Sequence, residues 1–271
     1  MVRSLWTAAS GMIAQQNNVD TISNNLANVN TTGYKTEVAE FKSLLYQDIK
    51  SKSTSANSEQ KPIPAQVGLG VRNSAITSIF SQGNFYDSTN DLAFAIDGDG
   101  FFSVMGQDGN QYYTRNGNFV LATYGDGLAL STTDGLRVLD SKGQPIVLSS
   151  EYVASKITVT GDGEICYPDA SNNPKSLGIR IGLWQFNNPS GLNKMDSSLY
   201  SESAASGAPM NEETTNGLVK SGMRQGYLEG SNVQVVDEMV NMIVAQRAYE
   251  LNSKAIQASD EMMSQANQLR R

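Results

Sequence analysis

The sequence contains no histidine, and Cys166 is its single cysteine among 271 residues. Histidine is the side chain most often used for acid–base catalysis near neutral pH and the commonest metal ligand, so its absence argues against both roles. One cysteine can form neither an intrachain disulfide nor a thiolate zinc cluster. We interpret Cys166 as a small, half-buried strand residue.

Positive charge and long apolar runs are also scarce. The 20 lysines and arginines are outnumbered by 27 acidic residues, for a formal net charge of −7. No basic patch interleaved with aromatic residues offsets this balance, so nucleic acid is not an expected partner. No apolar run is long enough to span a membrane, and the first twelve residues are a poor signal peptide. We therefore expect a cytoplasmic protein or one exported without a cleavable signal.

Common catalytic motifs are missing as well. There is no P-loop, no Gly-x-Ser-x-Gly elbow and no Gly-x-Gly-x-x-Gly following a strand. Gly-Asp-Gly occurs at residues 98–100, 125–127 and 161–163, and we interpret all three as hairpin turns rather than calcium loops. The spacing selects no glycosidase pair from Asp97, Asp99 and Glu164. The sequence therefore predicts no catalytic residue, cofactor or metal.

The N-terminal residues, from 4 to about 30, are predicted to form a helix with a heptad seam. Its opposite face is small and uncharged, and it leads into residues 24–30, which contain four asparagines. A helix face in water usually carries charge, whereas amides and hydroxyls can be buried once they are hydrogen-bonded. We expect this face to contact another protein surface. The seam is Leu5, Ala8, Met12, Gln15, Val19, Ile22, Leu26 and Val29; the opposite face is Ser10, Ala14, Asn17, Thr21, Asn24 and Asn28.

A second helix is predicted from Val233 to about Leu269, with two apolar stripes on roughly opposite sides. One stripe is Val235, Met239, Met242, Gln246, Tyr249, Ser253, Ile256 and Met263; the other is Val240, Val244, Ala248, Leu251, Ala255, Ala258, Met262 and Leu269. One stripe can pair with the N-terminal helix, and the other needs a further partner. The alternative is that both helices pack into the core of a globular domain. The residues we expect at subunit contacts are Leu5, Met12, Val19, Ile22, Asn24, Asn25, Leu26, Asn28, Val29, Val235, Met239, Val240, Met242, Val244, Ala248, Tyr249, Leu251 and Ile256.

Between the helices, short alternating segments separated by glycine predict an all-β domain over residues 92–200. The seven predicted strands are residues 92–96, 101–105, 111–115, 118–121, 136–139, 156–159 and 180–184. A polar segment, residues 47–66, is predicted to be an extended loop. The fold class is therefore α+β: terminal helices form a coiled-coil layer, with a mainly-β domain inserted between them. We divide the chain into residues 1–32 with 233–271 as a helical polymerisation domain, 33–91 with 201–232 as a linking region, and 92–200 as the outer domain.

Several motifs resemble the bacterial flagellar axial proteins of the rod and hook. They are the segments at residues 4–12, 15–16, 23–35, 66–72, 96–102, 113–117 and 225–256, which are distributed over nearly the whole chain. The resemblance implies a non-enzymatic structural subunit of the distal rod that polymerises helically into the drive shaft crossing the periplasm. A proximal rod or hook subunit remains an alternative, as does a peptidoglycan-binding or -cleaving β domain with oligomerising helices.

The resemblance also implies partners and a further site. The partners would be copies of the chain, other rod subunits, the hook or hook–rod junction, the surrounding ring proteins and the flagellar export apparatus, a route that needs no signal peptide. By position, the segment linked to rod stiffness in the family falls on residues 47–66. We assign that role to Gln47, Lys50, Pro62, Pro64 and Gln66.

Overall fold

The computed structural model describes residues 2–50, 65–125, 127–169, 173–196, 198–215 and 217–268. Helix α1 spans Val2–Ala27 and helix α2 spans Val235–Gln268. Helix α1 ends three residues earlier than predicted, because asparagine competes for the backbone hydrogen bonds of a helix. A turn begins at Asn28, whose carbonyl accepts a hydrogen bond from the Thr31 amide at 3.1 Å. Neither described helix is long and apolar enough to cross a membrane.

The strands follow in chain order between the helices. They are β1 (Glu37–Ser43), β2 (Tyr46–Lys50), β3 (Ala65–Gly68), β4 (Val71–Ser78), β5 (Phe85–Asp87), β6 (Phe94–Asp97), β7 (Phe101–Met105), β8 (Gln111–Thr114), β9 (Phe119–Tyr124), β10 (Gly127–Thr132), β11 (Arg137–Val138), β12 (Val147–Ser149), β13 (Thr158–Val159), β14 (Glu164–Pro168), β15 (Pro174–Arg180), β16 (Leu183–Gln185), β17 (Asn193–Lys194), β18 (Leu199–Ser201), β19 (Met210–Asn211), β20 (Gly222–Gln225) and β21 (Tyr227–Glu229).

The chain divides into two compact units. Unit 1 consists of residues 1–27, 37–77 and 234–271, and unit 2 consists of residues 28–36 and 78–233. The predicted linking region is thus distributed over both, since 37–77 lies in unit 1 and its other parts lie in unit 2. The predicted fold class is confirmed in outline: the protein contains both helices and strands, with one helix at each end of the chain and a β region between them.

In unit 1, α1 packs against α2. The Ser4 and Ser259 hydroxyls lie 3.3 Å apart, and a Cβ added to Gly11 would lie 2.8 Å from the Asn252 amide nitrogen. The second contact lies seven residues later in α1 and seven residues earlier in α2 than the first. The helices are therefore antiparallel, and the two contacts are one heptad apart. The small residue at Gly11 permits the close approach. Two two-stranded sheets, β1–β4 and β2–β3, complete the unit.

Unit 2 is built on a ten-stranded antiparallel sheet, with β7 at its centre bonded to β8, β11 and β16. Its core is aliphatic and aromatic, and includes Phe94, Phe102, Val104, Phe119 and Ile146. Smaller sheets pair β13–β14–β15, β6 with β20 and β5 with β21. Each of the seven strands predicted between residues 92 and 184 is present, although Arg180–Trp184 is divided between β15 and β16.

Two details of the β prediction are wrong. The Gly-Asp-Gly at residues 98–100 is not a hairpin turn, because β6 pairs with β20 while β7 pairs with other strands. Gly98 has φ 138°, and a Cβ on Gly100 would lie 2.6 Å from the Glu212 carboxylate, so close packing requires glycine there. The other two turns connect paired strands, although Asp126 lies outside the described residues. Cys166 lies in β14 as predicted but is buried rather than half-buried.

Candidate assembly surface and buried charge cluster

Helix α2 presents large apolar side chains to solvent along much of its length. Val236 is 73% exposed, Val244 62% and Leu251 66%. Soluble monomers rarely expose contiguous apolar surface of this kind, and such surfaces are typical of protein–protein contacts. The same character continues on α1, where Trp6 and Ile13 are exposed. We define the assembly surface as Trp6, Ile13, Val236, Met239, Val240, Ile243, Val244, Leu251 and Met262.

The residues predicted at subunit contacts divide into two groups. On α1 the apolar members are covered or half-covered within the chain, whereas on α2 most are exposed. Residues missed by the sequence reasoning are Trp6, Ile13, Val236 and Ile243, whose seven-residue spacing beside the predicted stripes was an available signal. The buried or half-buried members are Leu5, Met12, Val19, Ile22, Asn25, Leu26, Asn28, Val29, Met242, Ala248 and Ile256; the exposed ones are Asn24, Val235, Met239, Val240, Val244, Tyr249 and Leu251.

Asn25 explains part of the asparagine-rich stretch. It is 1% exposed, its side-chain nitrogen donates to the Glu37 carbonyl at 2.8 Å, and its side-chain oxygen accepts the Glu37 amide at 2.9 Å. The amide therefore pairs with the first residue of β1 as a neighbouring strand would. A charged side chain could not supply both a donor and an acceptor. Part of the uncharged face of α1 is thus satisfied within the chain.

Replacing Asn25 by alanine should lower the free energy of unfolding of unit 1 by about 1–3 kcal/mol, since it leaves the Glu37 backbone groups without their partner. The matched control is Asn24→Ala, because Asn24 is the adjacent, exposed asparagine and should change stability by less than about 0.5 kcal/mol. Urea unfolding followed by circular dichroism at 222 nm reports mainly α1 and α2. Equal effects of the two substitutions would contradict this role for Asn25.

The two ends of the segment assigned to rod stiffness lie in β2 and β3, which pair as antiparallel strands. Gln47 pairs with Val67, Asp48 with Gln66, and Lys50 with Ala65 along β2 and β3. Pro62 and Pro64 lie outside the described residues. The two ends of the segment are therefore held side by side in unit 1.

A cluster of three charged side chains is buried in unit 2. The Lys35 Nζ lies 2.6 Å from Glu229 Oε1, and Arg115 Nη1 lies 3.3 Å from Glu229 Oε2. The side chains are 0%, 1% and 1% exposed for Lys35, Arg115 and Glu229. Lys35 also donates to the Ser81 carbonyl at 2.8 Å, and the Gly83 amide donates to Glu229 Oε1 at 3.0 Å. We call these three side chains the charge cluster.

The charge cluster holds two cations against one carboxylate. Burial lowers the pKa of the Lys35 amine; Glu229 opposes this shift and Arg115 adds to it. The Arg115 guanidinium lies 4.9 Å from the centre of the Phe101 ring, and its Nε is buried without a hydrogen-bond partner among the described residues. Both cations therefore depend on Glu229 to offset the cost of leaving water.

Backbone groups of Gly33 also lie in close contact with the backbone of Glu229 and Arg115, two members of the charge cluster. Gly33, with φ 70°, donates its amide to the Glu229 carbonyl at 2.9 Å. A Cβ on Gly33 would lie 2.8 Å from the Arg115 carbonyl carbon. The charge cluster was not predicted, although each member closes a motif visible in the sequence: Thr-Gly-Tyr-Lys, Tyr-Thr-Arg and Tyr-Leu-Glu. Contacts between residues this far apart in sequence leave no periodic signal.

Two of the three acidic residues considered for catalysis, Asp97 and Glu164, have structural partners, and the third, Asp99, is exposed. Asp97 forms an exposed ion pair with Arg224 at 2.6 Å, and Glu164 accepts a hydrogen bond from the Ser176 hydroxyl. Among the described residues no group of three His, Cys, Asp or Glu side chains could hold a metal ion. The geometry therefore favours assembly over chemistry.

Comparison with known families gives three matches along the chain. Residues 5–35 match the family described as flagella basal body rod protein, residues 95–167 the flagellar hook protein FlgE/F/G D1 domain, and residues 224–269 the flagellar basal body rod FlgEFG protein C-terminal region. These matches, together with the exposed apolar surface of the helices, define a flagellar rod or hook protein.

Relatives at full length narrow this class. The chain is 46% identical over 275 residues to the flagellar basal-body rod protein FlgG of Borreliella burgdorferi, covering 100% of both chains. It is 39% identical over 268 residues to FlgG of Agrobacterium fabrum, covering 97% of both, and 37% identical over 271 residues to FlgG of Bacillus subtilis, covering 100% of both. The chain belongs to the FlgG family of flagellar basal-body rod proteins. It is a structural subunit of the flagellar basal body and not an enzyme.

Proposed function

We propose that this chain polymerises helically into the distal part of the rod, the drive shaft that transmits torque from the motor to the hook. The observation that carries the proposal is the assembly surface on α1 and α2, where large apolar side chains lie in solvent. A heterologous contact that does not close into a ring propagates as a filament, and every subunit then uses the same surfaces. Repeated contacts of this kind can carry torque along the filament.

The terminal helices would form the inner layer of that filament as a coiled coil. The antiparallel contacts of Ser4 with Ser259 and of Gly11 with Asn252 support this, because they recur at seven-residue spacing. The assembly surface lies outside this pairing and is available for neighbouring copies. Helices exposed on one side as monomers become covered on all sides in the filament.

The location and partners follow from the same proposal. The rod crosses the periplasm, so the chain would reach its site through the flagellar export apparatus without a cleavable signal. Its partners would be copies of itself, other rod subunits, the hook or hook–rod junction and the surrounding ring proteins. Residues 47–66 would stiffen the filament. Gln47 and Gln66 lie in the paired strands β2 and β3.

Concentration-dependent assembly of the full chain tests this proposal. We expect sedimentation velocity to show growth of large species as concentration rises, and electron microscopy to show filaments. Asn24 and Asn28 are predicted at subunit contacts but lie outside the assembly surface. Replacing both by lysine should block that growth while leaving the strands of unit 2 folded, because an unpaired charge buried at a contact costs several kcal/mol. A full chain that stays monomeric at high concentration would contradict the proposal, and a double-lysine variant that assembles normally would contradict the predicted contact at these two asparagines.

A further inference from the structure

The charge cluster lies where the chain passes out of unit 2. Because unit 2 consists of residues 28–36 and 78–233, the chain crosses its boundary next to residues 36, 78 and 233, as well as at residue 28. Lys35 is one residue from the first of these crossings, and its amine is bonded to Ser81, which is close to the second. Glu229, the partner of Lys35, is four residues from the third.

Asn232 ties the same three segments together. Its side-chain oxygen accepts the Thr36 amide at 2.7 Å and the Thr36 hydroxyl at 2.8 Å. Its side-chain nitrogen donates to the Ile79 carbonyl at 2.9 Å and to the Ser81 carbonyl at 3.1 Å. The segments that lead towards α2, β1 and β4 are therefore joined by side chains of unit 2.

The C-terminal part of unit 2 supplies the central anion together with two strands. Strand β20 pairs with β6 through Gly222–Gln225, and β21 pairs with β5 through Tyr227–Glu229. Before this segment docks, Lys35 and Arg115 lack the carboxylate that both contact. Burying two cations without it is strongly unfavourable, since an uncompensated buried charge costs more than the matched pair gains.

We propose that Glu229 is a closing latch: the segments at residues 29–36 and 79–97 reach their final packing only when the C-terminal segment of unit 2 delivers its carboxylate to Lys35 and Arg115. The latch joins the segments leading into α2, β1 and β4. A chain whose C-terminal part has not arrived would keep these segments open. Its effect on polymerisation, as distinct from folding, rests on the proposed rod function.

Two cations contact one carboxylate, and this ratio predicts unequal effects of removing the anion and of removing one cation. Glu229→Gln preserves shape but removes the only carboxylate in direct contact with both cations among the described residues. Asp99, which also attracts Lys35, remains but forms no ion pair with either cation in the part of the chain that the structure describes. Lys35→Met leaves Arg115 and Glu229 as a matched pair, so its cost should be much smaller. An ordinary packing role would give comparable effects for both substitutions, because both side chains are equally buried.

Hydrogen exchange followed by mass spectrometry on the full-length chain, at a concentration where it is monomeric, tests the latch. In Glu229→Gln we expect exchange in residues 29–36 and 79–97 to accelerate about tenfold or more. Residues 127–149, which carry β10 and β12, should change less than about twofold. Lys35→Met should accelerate the first two segments less than about threefold. Equal acceleration by both variants, or none in Glu229→Gln, would overturn the latch.

A triple variant covers the case in which Glu229→Gln unfolds all of unit 2. Lys35→Met, Arg115→Met and Glu229→Leu together remove every charge of the cluster, and buried ion pairs can often be replaced by apolar groups without loss. Recovery of protection in the triple variant supports charge balance as the mechanism, and failure to recover counts against it. Sedimentation of the same samples separates the two proposals: intact latch behaviour in a chain that never assembles would contradict the rod function alone.

Discussion

Replacing Val244 by glutamate should abolish self-association of the full chain while leaving both units folded. Val244 is 62% exposed on α2, so the new carboxylate meets water in the monomer, and glutamate is a better helix former than valine. In a filament the same carboxylate would be buried against a neighbouring copy. Losing the valine contact costs about 1.5–3 kcal/mol and burying an unpaired charge costs several more.

At about 1.4 kcal/mol per factor of ten, this loss corresponds to at least a hundredfold weaker association at each contact. Sedimentation velocity measures it directly, and circular dichroism checks that the helices persist. The control is Val219→Glu, the same substitution at an 84% exposed valine of unit 2, which should leave assembly unchanged. If the Val244 variant assembles like the parent, this face of α2 is not an assembly surface.

Replacing Gly117 by alanine should destabilise unit 2 by about 3 kcal/mol or more, because no room exists for a methyl group. A Cβ at this position would lie 1.8 Å from the Phe94 carbonyl oxygen. The same carbonyl belongs to the backbone of β6, and the Phe94 amide donates to the Gly117 carbonyl at 3.0 Å. Relieving the clash between the new methyl group and the Phe94 carbonyl therefore requires a shift of a core strand and not of a flexible side chain.

Trp184 provides the measurement for this substitution. It lies half-buried in β16 and donates to the Ser103 hydroxyl at 3.1 Å, so its fluorescence during urea unfolding reports unit 2. The matched control is Gly161→Ala, since a Cβ on Gly161 meets nothing within 4 Å and the change should stay within about 0.5 kcal/mol. Equal stability of the two variants would show that β6 can shift at little cost.

The two helices and their pairing with each other were predictable, but the residues buried on α2 were not. Heptad spacing located both helices within a few residues. The residues buried on α2 are Glu238, Ala245 and Ser259, which belong to neither predicted apolar stripe. Antiparallel pairing at a close distance selects small residues, as Gly11 opposite Asn252 illustrates. Hydrophobic periodicity favours large apolar side chains, and so on α2 it identified part of the surface that stays exposed.

The β region shows the same limit in another form. Alternating residues located the seven strands, because a strand's pattern is local. The pattern did not show which strands pair. Only Gly98-Asp99-Gly100 separates β6 from β7, yet β6 pairs with β20, more than a hundred residues away, and not with β7. Pairing between distant strands is decided by how the whole core packs, and one segment cannot report it.

The sequence by itself determined the class of molecule. It contains an N-terminal helix with an uncharged face, a C-terminal helix with two apolar stripes, a glycine-punctuated β region and motifs that resemble flagellar rod proteins, and it contains no histidine. These properties are local or compositional, so one chain suffices to read them. The tertiary structure alone decided that Asn25 pairs with Glu37 and that Lys35, Arg115 and Glu229 share one buried cluster. The members of that cluster are separated by up to 194 residues, and only the folded chain places two cations around one carboxylate.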